Sequence, residues 1–150
     1  HNKLFEDKSD ALYFGESSRG YLPWPTATER IARDLHRPKA IIILRHPVAR
    51  CFSHYRWRYR LGLEKRCFLD AIKNDGFGFD PEQPTEFGYM AYLEFSQYAQ
   101  QCQVWEEALG FMKCLILASG DLQKHHKRTL NRCFDFLGLT PLNTYSNLKP

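Results

Sequence analysis

The stretch Ala40–Arg60, AIIILRHPVARCFSHYRWRYR, decides how this chain is read. Ile41 to Leu44 form a short continuous apolar run, as a strand buried in a parallel sheet requires. Arg45 sits where that strand ends. Pro47 suits the first turn of a helix, where its missing N–H costs nothing, and the helix it opens is expected to run to about Leu61. A strand ending in a cation, then a helix N-terminus with a hydroxyl at Ser53 about two turns along, can hold an anion. Arg45 brings a planar fork of donors and Ser53 a neutral hydroxyl, a combination suited to a phosphate monoester. Spacing alone leaves a second reading open: a surface arginine paired with an acid, and a serine without a ligand.

Around this stretch, the pattern calls for strands alternating with helices. Leu12–Gly15 is a short strand candidate ending at Glu16, and Ser17–Pro25 is a loop. Thr26-Ala27-Thr28-Glu29 is a capping box for a helix with Ile31, Ala32 and Leu35 on its apolar side, stopped by Pro38. In the helix after Pro47, Val48, Phe52, Tyr55 and Tyr59 recur at helical spacing and are expected to face the core. Arg50, His54 and Arg58 share another face. Gly62 makes a turn before a short helix at Phe68–Lys73, and the Gly-, Pro- and acid-rich segment from Asn74 to Gly88 is a loop long enough to face a substrate. A long helix from about Tyr89 to Leu109 follows, then a strand at Cys114–Ala118. A last helix, about Lys127–Leu137, is closed by Gly138. The fold class is α/β, a parallel sheet of three or so strands flanked by helices. In such sheets ligands bind at the carboxyl ends of the strands, so Glu16 and Arg45 are expected to border one crevice. A carboxylate there takes a proton from a hydroxyl or amine nucleophile; a structural ion pair is the other reading of Glu16.

Composition bounds the rest. A chain of 150 residues, 43% hydrophobic and 15% aromatic, is long enough for a single domain with a real core. No apolar run approaches the ~20 residues of a membrane span, and HNKLFEDKSD is too polar for a signal peptide, so a cytoplasmic protein is expected. The five cysteines include no C-x-x-C pair and read as buried small residues of a reduced protein. His125 and His126 are adjacent and so diverge on a helix, which argues against a metal pair. The formal charge of +4 is concentrated: Arg45–Arg66 holds seven Lys/Arg against Glu64 alone, a local +6. Tyr55-Arg56-Trp57-Arg58-Tyr59-Arg60 interleaves rings with cations as nucleic-acid binders do. The inward register expected for Tyr55 and Tyr59 argues against that partner.

IIILRHPVARCFSHYR resembles the 3′-phosphate-binding segment of sulfotransferases that use 3′-phosphoadenosine 5′-phosphosulfate (PAPS). In the heparan-sulfate-type and bacterial members this segment reads as an apolar strand, then approximately L-R-(N/D)-P-V-x-R-A-x-S-H-Y. Tyr13–Leu22 resembles the family's G-E-K-S-P-x-Y-L, and Glu29-Arg30-Ile31-Ala32 its A-x-E-R-I-A helix. Gly62-Leu63-Glu64 through Phe68–Ile72 is similar to G-x-E-x-x-S-F-x-E-A-I. Leu115–Leu117 with Ser119–Leu122, and Phe136–Leu139, resemble the late strand and closing helix. The likeness covers about residues 12 to 140, with five segments in the family's order.

The resemblance implies a P-loop-like sulfotransferase fold. It implies that Arg45 and Ser53 hold the 3′-phosphate of PAPS or of adenosine 3′,5′-bisphosphate. Glu16 is implied as the base on an alcohol or amine acceptor, a small molecule or a glycan, in a transfer that needs no metal. The family's phosphosulfate turn, P-K-x-G-T-(T/S), has no counterpart before Leu12. Ser17, Arg19 and His46 replace the usual Lys, Pro and Asn or Asp. The expectation is therefore a single domain over residues 1–150 without the first strand and its phosphate loop, with a homodimer or a rearranged sheet covering the gap. Either sulfuryl transfer or non-catalytic binding of the nucleotide or another anion follows from what is retained.

Overall fold

A computed structural model describes residues 12–18, 20–75 and 91–141. Helix α1 (Pro25–Asp34) leads to strand β1 (Ala40–Leu44), helix α2 (Pro47–Arg60) and helix α3 (Phe68–Lys73). A single 3₁₀ turn (Glu94–Ser96) precedes α4 (Tyr98–Leu109), and another (Phe111–Lys113) precedes strand β2 (Cys114–Ala118). The chain then forms α5 (Ser119–Lys124) and α6 (His126–Leu137). Strands β1 and β2 pair in parallel, from Ala40 opposite Cys114 to Leu44 opposite Ala118. The α/β class holds, with two strands in the sheet among the described residues.

Punctuation residues set most of these boundaries. Pro47 occupies the first turn of α2, and Gly62, Gly110 and Gly138 take positive φ where helices or turns end. One sheet face is covered by α1 and α4, where Ala40, Ile42, Cys102 and Trp105 form a buried cluster with Ile31 and Leu109 packed on it. Side chains alternate along a strand, so Ile41 and Ile43 point the other way and stay partly exposed. The apolar run of β1 is thus buried on one face, not on both as expected. A second cluster joins α2 to α3 and to the segment after it, through Cys51, Tyr55, Ala71 and Tyr92.

Other expectations need correction. Leu12–Gly15 is not in a ladder, so Glu16 does not end a strand. The segment is held at α6 instead: the Tyr13 hydroxyl donates to the Leu137 carbonyl, and Lys39 Nζ donates to the Phe136 carbonyl at 2.7 Å. A cation and a hydroxyl here satisfy carbonyls that a helix end leaves open. The capping box at Thr26–Glu29 does not form, because α1 already begins at Pro25 with Trp24 at its N-cap and no side-chain cap. The expected helix of residues 89–109 starts only at Tyr98, since Gln97 adopts ψ 61° and breaks it from the 3₁₀ turn. The expected loop of residues 74–88 lies outside the described residues beyond Asp75.

The register of α2 departs most. Tyr55 is buried as expected, but Val48, Phe52 and Tyr59 are exposed, and Arg58 is buried at 6% exposure. Among the cysteines, Cys51 and Cys102 are buried and Cys114 and Cys133 half-buried, all four with thiol pKa pushed up chiefly by burial. Cys67 is exposed, its thiol 3.1 Å from the Asp70 carboxylate.

Candidate functional site

The parallel register decides where the crevice lies. Leu44 stands opposite Ala118, so the residues that follow each strand, Arg45-His46 and Ser119-Gly120, come together at the carboxyl end of the sheet. They enclose a depression of about 460 Å³ whose apolar wall is Ile43 and Ala49. Its polar groups are the side chains of Arg45, His46, Ser119 and Gln123. No carboxylate lines it. Arg45 is exposed, and the two ion pairs among the described residues, Arg33–Asp34 and Glu64–Arg66, do not involve it. The Tyr98 hydroxyl of α4 lies near the Arg45 backbone, and its pKa is raised chiefly by burial.

Ser53 is an exposed residue of α2, one turn beyond Ala49 on the same side of the helix. Counted from Pro47, it lies about 9 Å along the axis. It stands on the line that leaves the crevice rather than in its lining. Glu16 is exposed in the extended segment 13–18 and accepts a hydrogen bond from the Tyr21 hydroxyl, whose pKa that bond raises. It is not among the residues that line the crevice.

Position in the sequence marks Arg45 but not His46 or Gln123 as a group facing a ligand, and Ser119 enters only through the late strand's resemblance. Three of these polar groups depend on pairing between segments some seventy residues apart, which no local pattern encodes.

The inward side of α2 carries a different set of charges. Glu64 is buried and accepts from Arg66 Nη2 at 2.6 Å, from Arg66 Nε at 2.9 Å and from the Arg66 backbone N–H. The Tyr92 hydroxyl donates to the same carboxylate at 2.9 Å. These bonds, led by the Arg66 side chain, hold the Glu64 carboxyl down at about 2. Burial and the Glu64 contact push the Tyr92 phenol far up. The Arg50 guanidinium donates to the Tyr92 carbonyl, and Asp75 accepts from the backbone N–H groups of Tyr92 and Leu93. Arg58 is buried beside this group. Of the local excess of cations, part is therefore spent inside the protein.

The donor set of the crevice, one guanidinium with an imidazole, a hydroxyl and an amide and no acid, fits an anion such as a phosphate group. Comparison with protein-family models and with curated proteins returns no match. Comparison of structures does: the chain superposes on the crystal structure of a sulfotransferase from Alicyclobacillus acidocaldarius with a TM-score of 0.82 and 21% identity. The match covers 99% of this chain and 60% of that one, so the chain spans somewhat over half the length of its structural neighbour. Two parallel strands, the helices around them and the crevice at their carboxyl ends are thus set in a sulfotransferase-like fold.

Proposed function

We propose that the crevice is the 3′-phosphate half of a PAPS site and that the protein takes part in sulfuryl transfer to an alcohol or amine. The observation that carries this reading is Arg45, exposed and without an ion pair among the described residues, in a crevice at the carboxyl ends of parallel strands. Arg45 would hold the 3′-phosphate by its planar fork, with Ser53 beside it on the next turn of α2. His46 and Gln123 add donors, and Ile43 offers an apolar wall. PAPS, when bound, supplies the sulfuryl group that leaves its phosphate for the acceptor oxygen or nitrogen. The chain's own part is to orient the nucleotide and to accept the acceptor's proton, the role assigned to Glu16. The Tyr21 hydrogen bond holds that carboxylate in one orientation.

A second reading, a nucleotide-binding module without turnover, is favoured by one observation: no carboxylate lines the crevice. Calorimetry with adenosine 3′,5′-bisphosphate, run beside a sulfate-transfer assay, separates the two. Binding that Arg45→Ala weakens, with turnover that Glu16→Gln abolishes, supports the transferase. Binding without turnover supports the module, and absence of binding removes both.

A further inference from the structure

We propose that the outer face of α2, extended by α3, docks the protein onto an anionic lipid surface. The register of α2 is fixed from inside by Cys51, Tyr55 and Arg58, all buried, so what remains outside is not free to turn in. Val48, Phe52 and Tyr59 form an exposed apolar edge at helical spacing. The Phe52 ring meets Phe68 of α3 at 5.0 Å, and next to Phe68 stands Leu69, 67% exposed. Arg56 and Arg60 form a ridge alongside, both exposed and outside the two ion pairs among the described residues. The Arg56 guanidinium lies 5.9 Å from the centre of the Phe52 ring. Helix α2 holds four arginines and no acid.

An apolar edge beside a cationic ridge is the pattern of a helix that lies in a lipid–water interface. Its aromatic and aliphatic groups sink to the acyl boundary and its guanidinium groups meet headgroup phosphates. No helix among the described residues is long and apolar enough to cross a membrane, so such contact is with the surface. The exposed side chains also discriminate between polyanions. Single-stranded nucleic acid wants ring faces for its bases. Here Tyr55 is buried and Phe52 is engaged by Arg56 and Phe68, which leaves Trp57 and Tyr59 as exposed rings, while the exposed aliphatic groups, Val48, Leu61, Leu63 and Leu69, offer no ring to a base. A lipid surface uses all of them. Ser53 follows Phe52 and is turned about 100° around the helix, away from the apolar edge and onto the side of the Arg56 and Arg60 ridge.

Cosedimentation of the full chain with phosphatidylcholine vesicles, with and without phosphatidylserine, tests this. Binding is expected only to the vesicles with phosphatidylserine, and it falls as salt rises. Arg56→Glu with Arg60→Glu lowers the bound fraction about tenfold, and Val48→Ser with Leu69→Ser, both far from the core, lowers it with an unchanged near-ultraviolet dichroism spectrum. Four results overturn the proposal: no binding to either vesicle, equal binding to both, indifference to the charge reversal, or tighter binding to oligothymidylate at the same salt. A dimer by light scattering that Val48→Ser with Leu69→Ser dissolves overturns it too, since the face then belongs to a second copy. None of these outcomes depends on the nucleotide reading, because Arg45 and Ser53 are unaltered.

Discussion

Helix α2 carries two sets of polar groups that differ in one respect, whether the protein itself answers them. On its inner side Arg50 is tied to the Tyr92 carbonyl, and the nearby carboxylate of Glu64 is held by Arg66 and Tyr92. At its N-terminal end Arg45 faces a depression lined by His46, Ser119 and Gln123, with no carboxylate. Buried charge is tolerated only when paired, so the inner set is a fastening. An exposed guanidinium set among neutral polar groups without acids, in a crevice at the carboxyl ends of strands, is arranged for something that arrives. The same sequence segment, +6 over Arg45–Arg66, thus divides into structure and site by the direction in which each side chain points.

The sharpest way to break this division is to remove Glu64. Glu64→Gln deprives partly exposed Arg66 of its counter-charge and the Tyr92 hydroxyl of a charged acceptor, and a loss of about 3 kcal/mol is expected after allowance for the exposure of Arg66, with the nucleotide affinity of the folded fraction unchanged. Chemical denaturation followed by calorimetry measures both. The pH dependence has a defined sign. The Glu64 carboxyl titrates at about 2 in the folded chain against an ordinary 4.5. Its contribution is therefore full above about pH 4.5 and is lost as pH falls towards 2. Stability curves of the wild type and Glu64→Gln should converge over that window. Parallel curves would mean that the carboxylate is not what the fastening rests on.

Arg45→Ala is the converse case. It should leave the melting temperature unchanged, since no partner among the described residues loses an ion pair. It should weaken adenosine 3′,5′-bisphosphate by about 2 kcal/mol, some thirtyfold, the usual worth of a charged hydrogen bond. A destabilised Arg45→Ala with unaltered binding would place Arg45 with the inner set.

How much of this the sequence disclosed follows the same line. Boundaries written in local chemistry were legible: Pro47 opens α2, Gly62 and Gly110 end segments, and Gly138 closes α6. Arg45 was legible because its role comes from its position between a strand and a helix. The inner face of α2 was not, because hydrophobicity ranks Phe52 and Tyr59 above Arg58 for burial. What reverses that order lies outside the helix, where Tyr92 stands beside Arg58. The break at Gln97 was hidden for a related reason: the Tyr92 backbone is claimed by Asp75 and Arg50, which pulls residues 92–96 out of line with α4. His46, Ser119 and Gln123 meet only because Leu44 pairs with Ala118.

Asp75→Ala is expected to have an intermediate effect. It removes the acceptor of two backbone N–H groups, Tyr92 and Leu93. A cost of about 1.5 kcal/mol is expected. Chemical denaturation measures it. An unchanged stability would mean that the Arg50 contact to Tyr92 suffices.

The smallest effect expected is that of Ser53→Ala, about 1 kcal/mol or some fivefold in affinity for adenosine 3′,5′-bisphosphate, the worth of one neutral hydrogen bond. Alone, so small a number decides little, because an exposed hydroxyl one turn beyond the crevice could touch ligand or water. Coupling decides it. Groups that hold one phosphate do not act independently, so the double variant Arg45→Ala with Ser53→Ala should cost less than the two single losses added together, by 0.5 kcal/mol or about that amount. Calorimetry on the four proteins gives this difference directly. Strict additivity would separate Ser53 from the site and leave Arg45 with His46, Ser119 and Gln123 as its whole polar complement. A measured coupling would extend the site along α2, from the strand end to its second turn, and would make one face of a single helix the cradle of the phosphate while the opposite face fastens the fold.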